Sequence, residues 1–255
     1  MYFEFGDKRI SVNIVDRPQL EHEVLVRLKE ASGFALATIN LDHLVKLEQD
    51  ADFLAAYAAH DLVVADGHPV VWLSRVAGRP VQLMPGSDMV VPLCRLAVQA
   101  GVSVALVGST REALSDARQT LLAEVPGLDV TWCHAPSGVF DPDSEEAAEI
   151  LSTLNRKKVG LCFLALGAPK QERLAARGRG LAPGVGFASV GAGLDFLGGH
   201  QRRAPAWVRR LALEWLWRAL SSPSRMIPRY LKCLAILPKH TLMALRLRQG
   251  GNSPS

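Results

Sequence analysis

The sequence predicts an α/β fold: a doubly wound, mostly parallel sheet covered on both faces by helices. Three observations carry that expectation. Six short apolar runs are bounded by turn residues, helical patterns alternate with them, and glycines or polar residues collect where each run ends.

The opening stretch Tyr2–Ile14 reads as a hairpin turning at Gly6-Asp7. Gly33–Ile39, Asp61–Ala65, Ser103–Val107, Leu128–Cys133, Val159–Leu166 and Val185–Val190 read as buried strands. Between them Leu41–Ala59, Pro69–Val76, Ser87–Ala100, Arg111–Glu124, Ser144–Lys157 and Pro169–Arg179 read as helices. Pro69 and Pro169 suit first-turn positions, and Ser144 followed by Glu145 and Glu146 suits a helix N-terminus. No internal repeat is visible.

A chain of 255 residues and 27.7 kDa can build its core without disulfides or a structural metal. With 49% hydrophobic and 21% charged residues, 21 Gly and 15 Pro, it is neither a disordered tail nor a fibre. Cys94, Cys133, Cys162 and Cys233 are scattered, as expected for reduced, buried thiols of a cytosolic protein. The N-terminus lacks the apolar core of a signal peptide, and the longest charge-free runs, Leu96–Thr110 and Gly180–Leu194, are too short to span a bilayer. The expectation is a protein that is neither exported nor integral.

The net charge of +4 hides an asymmetry. Residues 201–255 hold 11 basic residues and one acid, Glu214, a balance of +10 that leaves −6 for the first 200 residues. Such a tail seeks a polyanion: nucleic acid, an anionic membrane face or a diphosphate. After Gly199 the character changes. Trp207, Trp215 and Trp217 cluster, and 223–248 mixes aliphatics with scattered bases, interrupted by Pro228 and Pro238. This predicts residues 1–199 as the α/β core and 200–255 as a basic, helical, interfacial amphipathic appendage. A core or oligomer-interface role for that segment is the alternative, so a homo-oligomer stays open.

Ligands of open parallel sheets collect at the carboxyl ends of the strands. Thr38 and Asn40, Asp66, Gly108, the stretch Gly167-Ala168-Pro169-Lys170-Gln171-Glu172, and Asp195 after Gly191-Ala192-Gly193 should converge there. Asp66, between an apolar strand and Gly67, suits a general base whose pKa partial burial raises; the competing role is an N-cap for the following helix. Thr38 and Asn40 suit sugar hydroxyls, with helix capping again the alternative for Asn40. The 167–172 turn could present free N–H groups to an anion or a base. No Walker A sequence and no complete dinucleotide fingerprint is present, which disfavours a P-loop NTPase or a nicotinamide enzyme. His68, His134 and His200 have no ligand spacing, and no Asp-x-Asp pair is placed to hold a divalent ion on a nucleotide diphosphate, so neither metal nor other cofactor is expected.

These motifs assemble in a familiar order. Thr38-x-Asn40, Ala65-Asp66-Gly67, Gly78-Arg79-Pro80, Pro85-Gly86-Ser87-Asp88, Gly167 to Glu172 and Gly191-x-Gly193-x-Asp195 are followed by Arg203-Ala204-Pro205-x-Trp207, Leu213-Glu214-Trp215-Leu216-Trp217-Arg218 and Arg229-Tyr230. The chain, over roughly residues 10 to 232, resembles the WecG/TagA/CpsF glycosyltransferases. The resemblance implies a Rossmann-like domain with a C-terminal appendage that docks on the cytoplasmic membrane and completes the site. It implies inverting transfer, without metal, from a UDP-sugar to a sugar on a polyprenyl diphosphate in bacterial cell-surface polysaccharide synthesis. The sugar would be of N-acetylmannosamine or glucose type, and the enzyme peripheral on the inner face of the cytoplasmic membrane. By position, the family's catalytic aspartate falls on Asp66 and its substrate contacts on Thr38, Asn40 and Gln171. Its lipid-diphosphate arginines fall on Arg218, Arg225 and Arg229. Leu83 stands where many members carry an arginine, which leaves the donor contact to another base such as Arg79. The competing functions are a non-catalytic membrane adaptor of a polysaccharide assembly complex and a nucleic-acid-binding module. Against the second, the tail interleaves its bases with large aliphatics.

Overall fold

The computed structural model describes residues 1–201, 204–205, 208 and 214–250, the side chains of Arg218 and Arg225 excepted. Trp207 and Arg203 of the sequence motifs lie outside the described residues. The elements in chain order are β1 (Tyr2–Phe5), β2 (Lys8–Ser11), α1 (Arg17–Glu30), β3 (Phe34–Ile39), α2 (Leu41–Gln49), α3 (Ala51–Ala58), β4 (Leu62–Ala65) and α4 (His68–Val76). There follow α5 (Gly86–Ala100), β5 (Val104–Gly108), α6 (Arg111–Glu124), β6 (Val130–His134), α7 (Glu145–Arg156), β7 (Leu161–Ala165), α8 (Lys170–Leu181), β8 (Gly186–Ser189) and α9 (Gly193–Leu197). After these come α10 (Glu214–Ser221) and α11 (Pro223–Gly250).

Strands β3 to β8 form one parallel sheet of six, ordered β4-β3-β8-β7-β5-β6, and β1 and β2 form the expected antiparallel hairpin. The sheet is a two-sided core. Phe34 and Leu36 of β3 enter an apolar cluster with α1, α5 and α6, while Ala37 and Ile39 enter another with α2, α3, α4 and the hairpin. That division follows from the two-residue period of a strand. Strands buried on both faces are expected of parallel sheets, and the uninterrupted burial of β3, β4, β5 and β8 agrees.

The structure departs from the sequence reading in four places. Arg17–Glu30 forms a helix that the sequence reading leaves unassigned; Asp16 caps it, and Leu20, Val24 and Leu28 make a narrow buried stripe every fourth residue. The single helix expected over 41–59 is two, because Asp50 adopts an extended backbone and its carboxylate accepts the Phe53 N–H, starting α3. Pro169 sits at the N-cap of α8 rather than inside its first turn.

Pro228 and Pro238 do not interrupt α11, which runs through both. Each proline is exposed, as are Ser224 and Leu234 four residues earlier, so water can satisfy the carbonyls the missing N–H groups leave. One face of α11 joins the core: Met226, Cys233, His240 and Ala244 are buried, and His240 meets the Phe3 ring edge-on at 5.4 Å. Among the described residues no helix is long and apolar enough to cross a membrane. The four cysteines are free; burial pushes the Cys94 thiol up to about 12 and raises Cys162, Cys133 and Cys233 as well.

Candidate active site

The sheet's register builds the site. Strands β3 and β4 pair Thr38 with Val64 and Ile39 with Ala65, so Asn40 and Asp66 follow side by side at adjacent strand ends, about 4.8 Å apart in the ladder direction. The Asp66 N–H donates to the Ile39 carbonyl at 2.8 Å. Gly67 is the N-cap of α4 and makes no side-chain cap, so the N-cap role weighed for Asp66 falls one residue later. Gly67 has φ 100°, a conformation that glycine adopts without strain, and it turns the chain away immediately after the half-buried Asp66.

Asn40 does cap α2, accepting the His43 N–H at 3.1 Å, and a Cβ on Gly67 would stand 3.8 Å from its own. Capping engages its oxygen. A carboxamide keeps its NH2 donors for another partner. Thr38 is 4% exposed, and its carbonyl accepts two side chains, Tyr57 Oη at 2.6 Å and His43 Nδ1 at 2.7 Å. Burial lowers the His43 pKa to about 4, so the ring is neutral and donates there. Burial also raises Tyr57 well above its ordinary value, with the nearby Glu172 and Asp66 charges adding to it. Tyr57 and Glu172 are thereby neighbours of Asp66 in one electrostatic environment.

The turn after β7 leans over this floor, because α8 packs on α3. Gly167 has φ 71° and open space around it, and Lys170 opens α8, half-buried. Gln171 and Glu172 point inward, 3% and 0% exposed. Gln171 Nε2 donates to Glu172 Oε1 at 2.8 Å, and Gln171 Oε1 accepts the Gly191 N–H at 3.1 Å. Glu172 Oε2 has no hydrogen-bond partner among the described residues, nor has the buried Ser189 hydroxyl at the end of β8. Burial raises Glu172 to about 7, against the lowering effect of the Gln171 hydrogen bond and of Lys46.

Farther along the same edge, Asp195 accepts Ser109 Oγ and, at 2.9 Å, Gln201 Nε2. Gly108 has φ 116°, and a Cβ there would meet the Ala165 carbonyl oxygen at 2.4 Å, so close packing of β5 on β7 requires the glycine. Arg229 of α11 reaches the edge as well, with Nε 2.8 Å from Asp42 Oδ1. The Arg218 and Arg225 side chains lie outside the described residues. Arg79 stands beside Tyr2, 5.8 Å from its ring centre, and the Met1 amine, on the hairpin side; Leu83 packs with the apolar cluster of that side and bridges Ala65.

The structure thus gathers Thr38, Asn40, Asp66, Lys170, Gln171, Glu172 and Arg229 around the ends of β3, β4, β7 and β8. Gly108 and Asp195 lie toward β5. Sequence reasoning missed Asp42, Lys46, His43 and Tyr57. Lys46 Nζ lies 3.0 Å from Asp42 Oδ2 and donates to the Ala168 carbonyl at 3.1 Å. Each of these four looked like ordinary helix surface or core, and only the meeting of α2 and α3 with the 167–172 turn reveals them. Among the described residues no group of three or more His, Cys, Asp or Glu side chains could hold a metal ion.

Comparison with known proteins places the chain in a family. Residues 8–251 match the family described as the glycosyl transferase WecG/TagA/CpsF family. The chain is similar to a Bacillus spizizenii protein named N-acetylglucosaminyldiphosphoundecaprenol N-acetyl-beta-D-mannosaminyltransferase, 25% identical over 236 residues, 92% of this chain and 88% of that one. A Bacillus subtilis protein of the same name is 25% identical over 215 residues, 84% of this chain and 80% of its own.

Proposed function

The chain belongs to the WecG/TagA/CpsF glycosyl transferase family, and on that premise we propose that it moves a sugar from a UDP-sugar to a sugar carried on a polyprenyl diphosphate. The relatives' names support a lipid-linked diphosphate acceptor, since both specify an N-acetylglucosaminyl diphosphoundecaprenol. The donor sugar is of N-acetylmannosamine or glucose type. One observation carries the reading: Asp66 directly follows β4 beside Asn40, and it shares the surroundings of Tyr57 with Glu172 from the first turn of α8.

Asp66 accepts the proton of the attacking acceptor hydroxyl. As that oxygen bonds to the donor's anomeric carbon, the bond from that carbon to the UDP oxygen breaks, and the configuration inverts. Asn40 and Thr38 orient sugar hydroxyls. The departing diphosphate gains negative charge, which helix N-termini and basic side chains at the sheet edge stabilise. In this reading the role needs no metal ion.

Residues 1–199 form the catalytic core in this reading, and 200–255 the appendage that meets the inner face of the bacterial cytoplasmic membrane. The exposed face of α11 supports that partner. Ile227, Leu231, Leu234, Leu242 and Leu245 are 42–62% exposed, and at 100° per residue they fall within about 80° of one another. Lys232, Lys239 and Arg246, at seven-residue intervals, form an adjoining basic strip. An apolar stripe beside a basic one suits an anionic bilayer surface. Mass spectrometry after incubation with a panel of UDP-sugars and short-chain polyprenyl-diphosphate sugars tests the reading. A product heavier by one hexose or N-acetylhexosamine is expected. No product from any pairing would remove it.

A further inference from the structure

Asp42 grips two cations at once, one per oxygen. Arg229 Nε lies 2.8 Å from Oδ1, and Lys46 Nζ lies 3.0 Å from Oδ2. The carboxylate is 13% exposed, while each cation is 36% exposed. The acid therefore sits beneath and the two bases face outward. Burial alone would raise the Asp42 pKa, but Arg229 and Lys46 outweigh it and hold the carboxyl below its ordinary value. The cluster carries a net positive charge, since two cations share one anion. Lys46 also donates to the Ala168 carbonyl at 3.1 Å, which ties it to the turn that carries Gln171 and Glu172.

We propose that Lys46 and Arg229 form a paired-cation seat for the acceptor's diphosphate, with Asp42 the positioning residue that holds both. The proposal rests on the lipid-diphosphate reading above and adds to it Lys46, on a core helix, and the acid that aligns it. The seat has the right chemistry. A guanidinium anchored through Nε still has two terminal NH2 groups to offer an anion, and an ammonium engaged by a carboxylate and a carbonyl still has a third proton. It also has the right place. Asp42 and Lys46 lie on the helix that Asn40 caps, beside Asp66, so a sugar attached to a diphosphate held there can reach the base. The donor's diphosphate is the other source of the same chemistry, and the test separates the two.

The test uses the full chain with a short-chain polyprenyl-diphosphate sugar. Lys46→Met should raise the acceptor KM by about tenfold, the loss of one charge-assisted hydrogen bond, with kcat nearly unchanged and the Kd for UDP unaltered. Asp42→Asn should raise the acceptor KM similarly, and Asp42→Glu should recover most of it, which a merely misfolded variant would not allow. A second readout needs no turnover: inorganic pyrophosphate titrated by calorimetry at saturating UDP should bind Lys46→Met at least several-fold more weakly than the unaltered protein. Equal pyrophosphate binding by the two proteins overturns the seat whether or not transfer is observed. A rise in UDP Kd with no change in acceptor KM overturns it in favour of the donor. Absence of transfer by the unaltered protein, with the pyrophosphate difference intact, removes the functional reading and keeps the seat.

Discussion

Gln171 joins two loops through a single carboxamide: its oxygen accepts the Gly191 N–H at 3.1 Å, and its nitrogen donates to Glu172 at 2.8 Å. The first turn of α8 is thereby fixed to the turn after β8. The arrangement depends on a fully buried acid with one oxygen unpartnered among the described residues, and it has a signature in pH.

Glu172 titrates near 7 in the fold and near 4.5 when unfolded. The folded state therefore holds its proton more tightly. That contribution to stability is complete below pH 4.5 and is lost as pH rises through about 7. Glu172→Gln, which keeps an oxygen to accept from Gln171, should gain stability relative to the unaltered protein between pH 5 and 8, most at the alkaline end. Paired thermal melts across that range check it, and parallel curves would refute it. His43 and His60, both lowered to about 4 by burial, act oppositely on the acid side but cancel in the paired comparison.

Asp66→Asn should lower turnover by about a hundredfold or more while UDP binding survives, because the variant keeps the shape and loses the proton acceptor. Turnover together with a UDP titration measures both. Near-normal turnover would take Asp66 out of the base role.

Activity should persist in excess chelator. Among the described residues no group of three or more His, Cys, Asp or Glu side chains could hold a metal ion, and of the Asp-x-Asp pairs, Asp50 of Asp50-Ala51-Asp52 is spent capping α3 and Asp141-Pro142-Asp143 leads into α7. Loss of activity in EDTA, restored by Mg²⁺ or Mn²⁺, would contradict this.

Leu231→Asp with Leu234→Asp should abolish flotation with anionic vesicles while leaving turnover on a short-chain soluble acceptor nearly intact. Both side chains are more than 60% exposed, so the fold tolerates the exchange. Cutting the chain after Gly199 is a poorer test. It would strip Ala244, Ile236, Leu237 and Leu247 from the apolar cluster they share with β1 to β4. Unchanged vesicle binding by the double variant would locate the membrane face elsewhere.

The six strands of the parallel sheet were legible because each is a short apolar run closed by a turn residue, a signal local to the run. The α1 helix was not, because Leu20, Val24 and Leu28 are sparse among Glu, His, Arg and Lys. Asp50 hid for another reason: an acid inside a helical pattern looks like surface until its own carboxylate restarts the chain. The strand-end residues of the site were visible, since topology alone sends Asn40 and Asp66 to one edge. The Asp42 cluster was not, because its partners Arg229 and Ala168 come from remote parts of the chain, and sequence carries no local trace of such a meeting.

The contact between Asp42 and Arg229 also sets an order in time. A ribosome delivers the chain N-terminus first, so the sheet, Asp66 and the first turn of α8 emerge before Pro223–Gly250 does. Until that helix arrives, the nascent protein holds its carboxylates without the last cation. It also bares the apolar surface that Ile236, Leu237, Ala244 and Leu247 later cover. That interval presents a sticky patch of the kind chaperones shield.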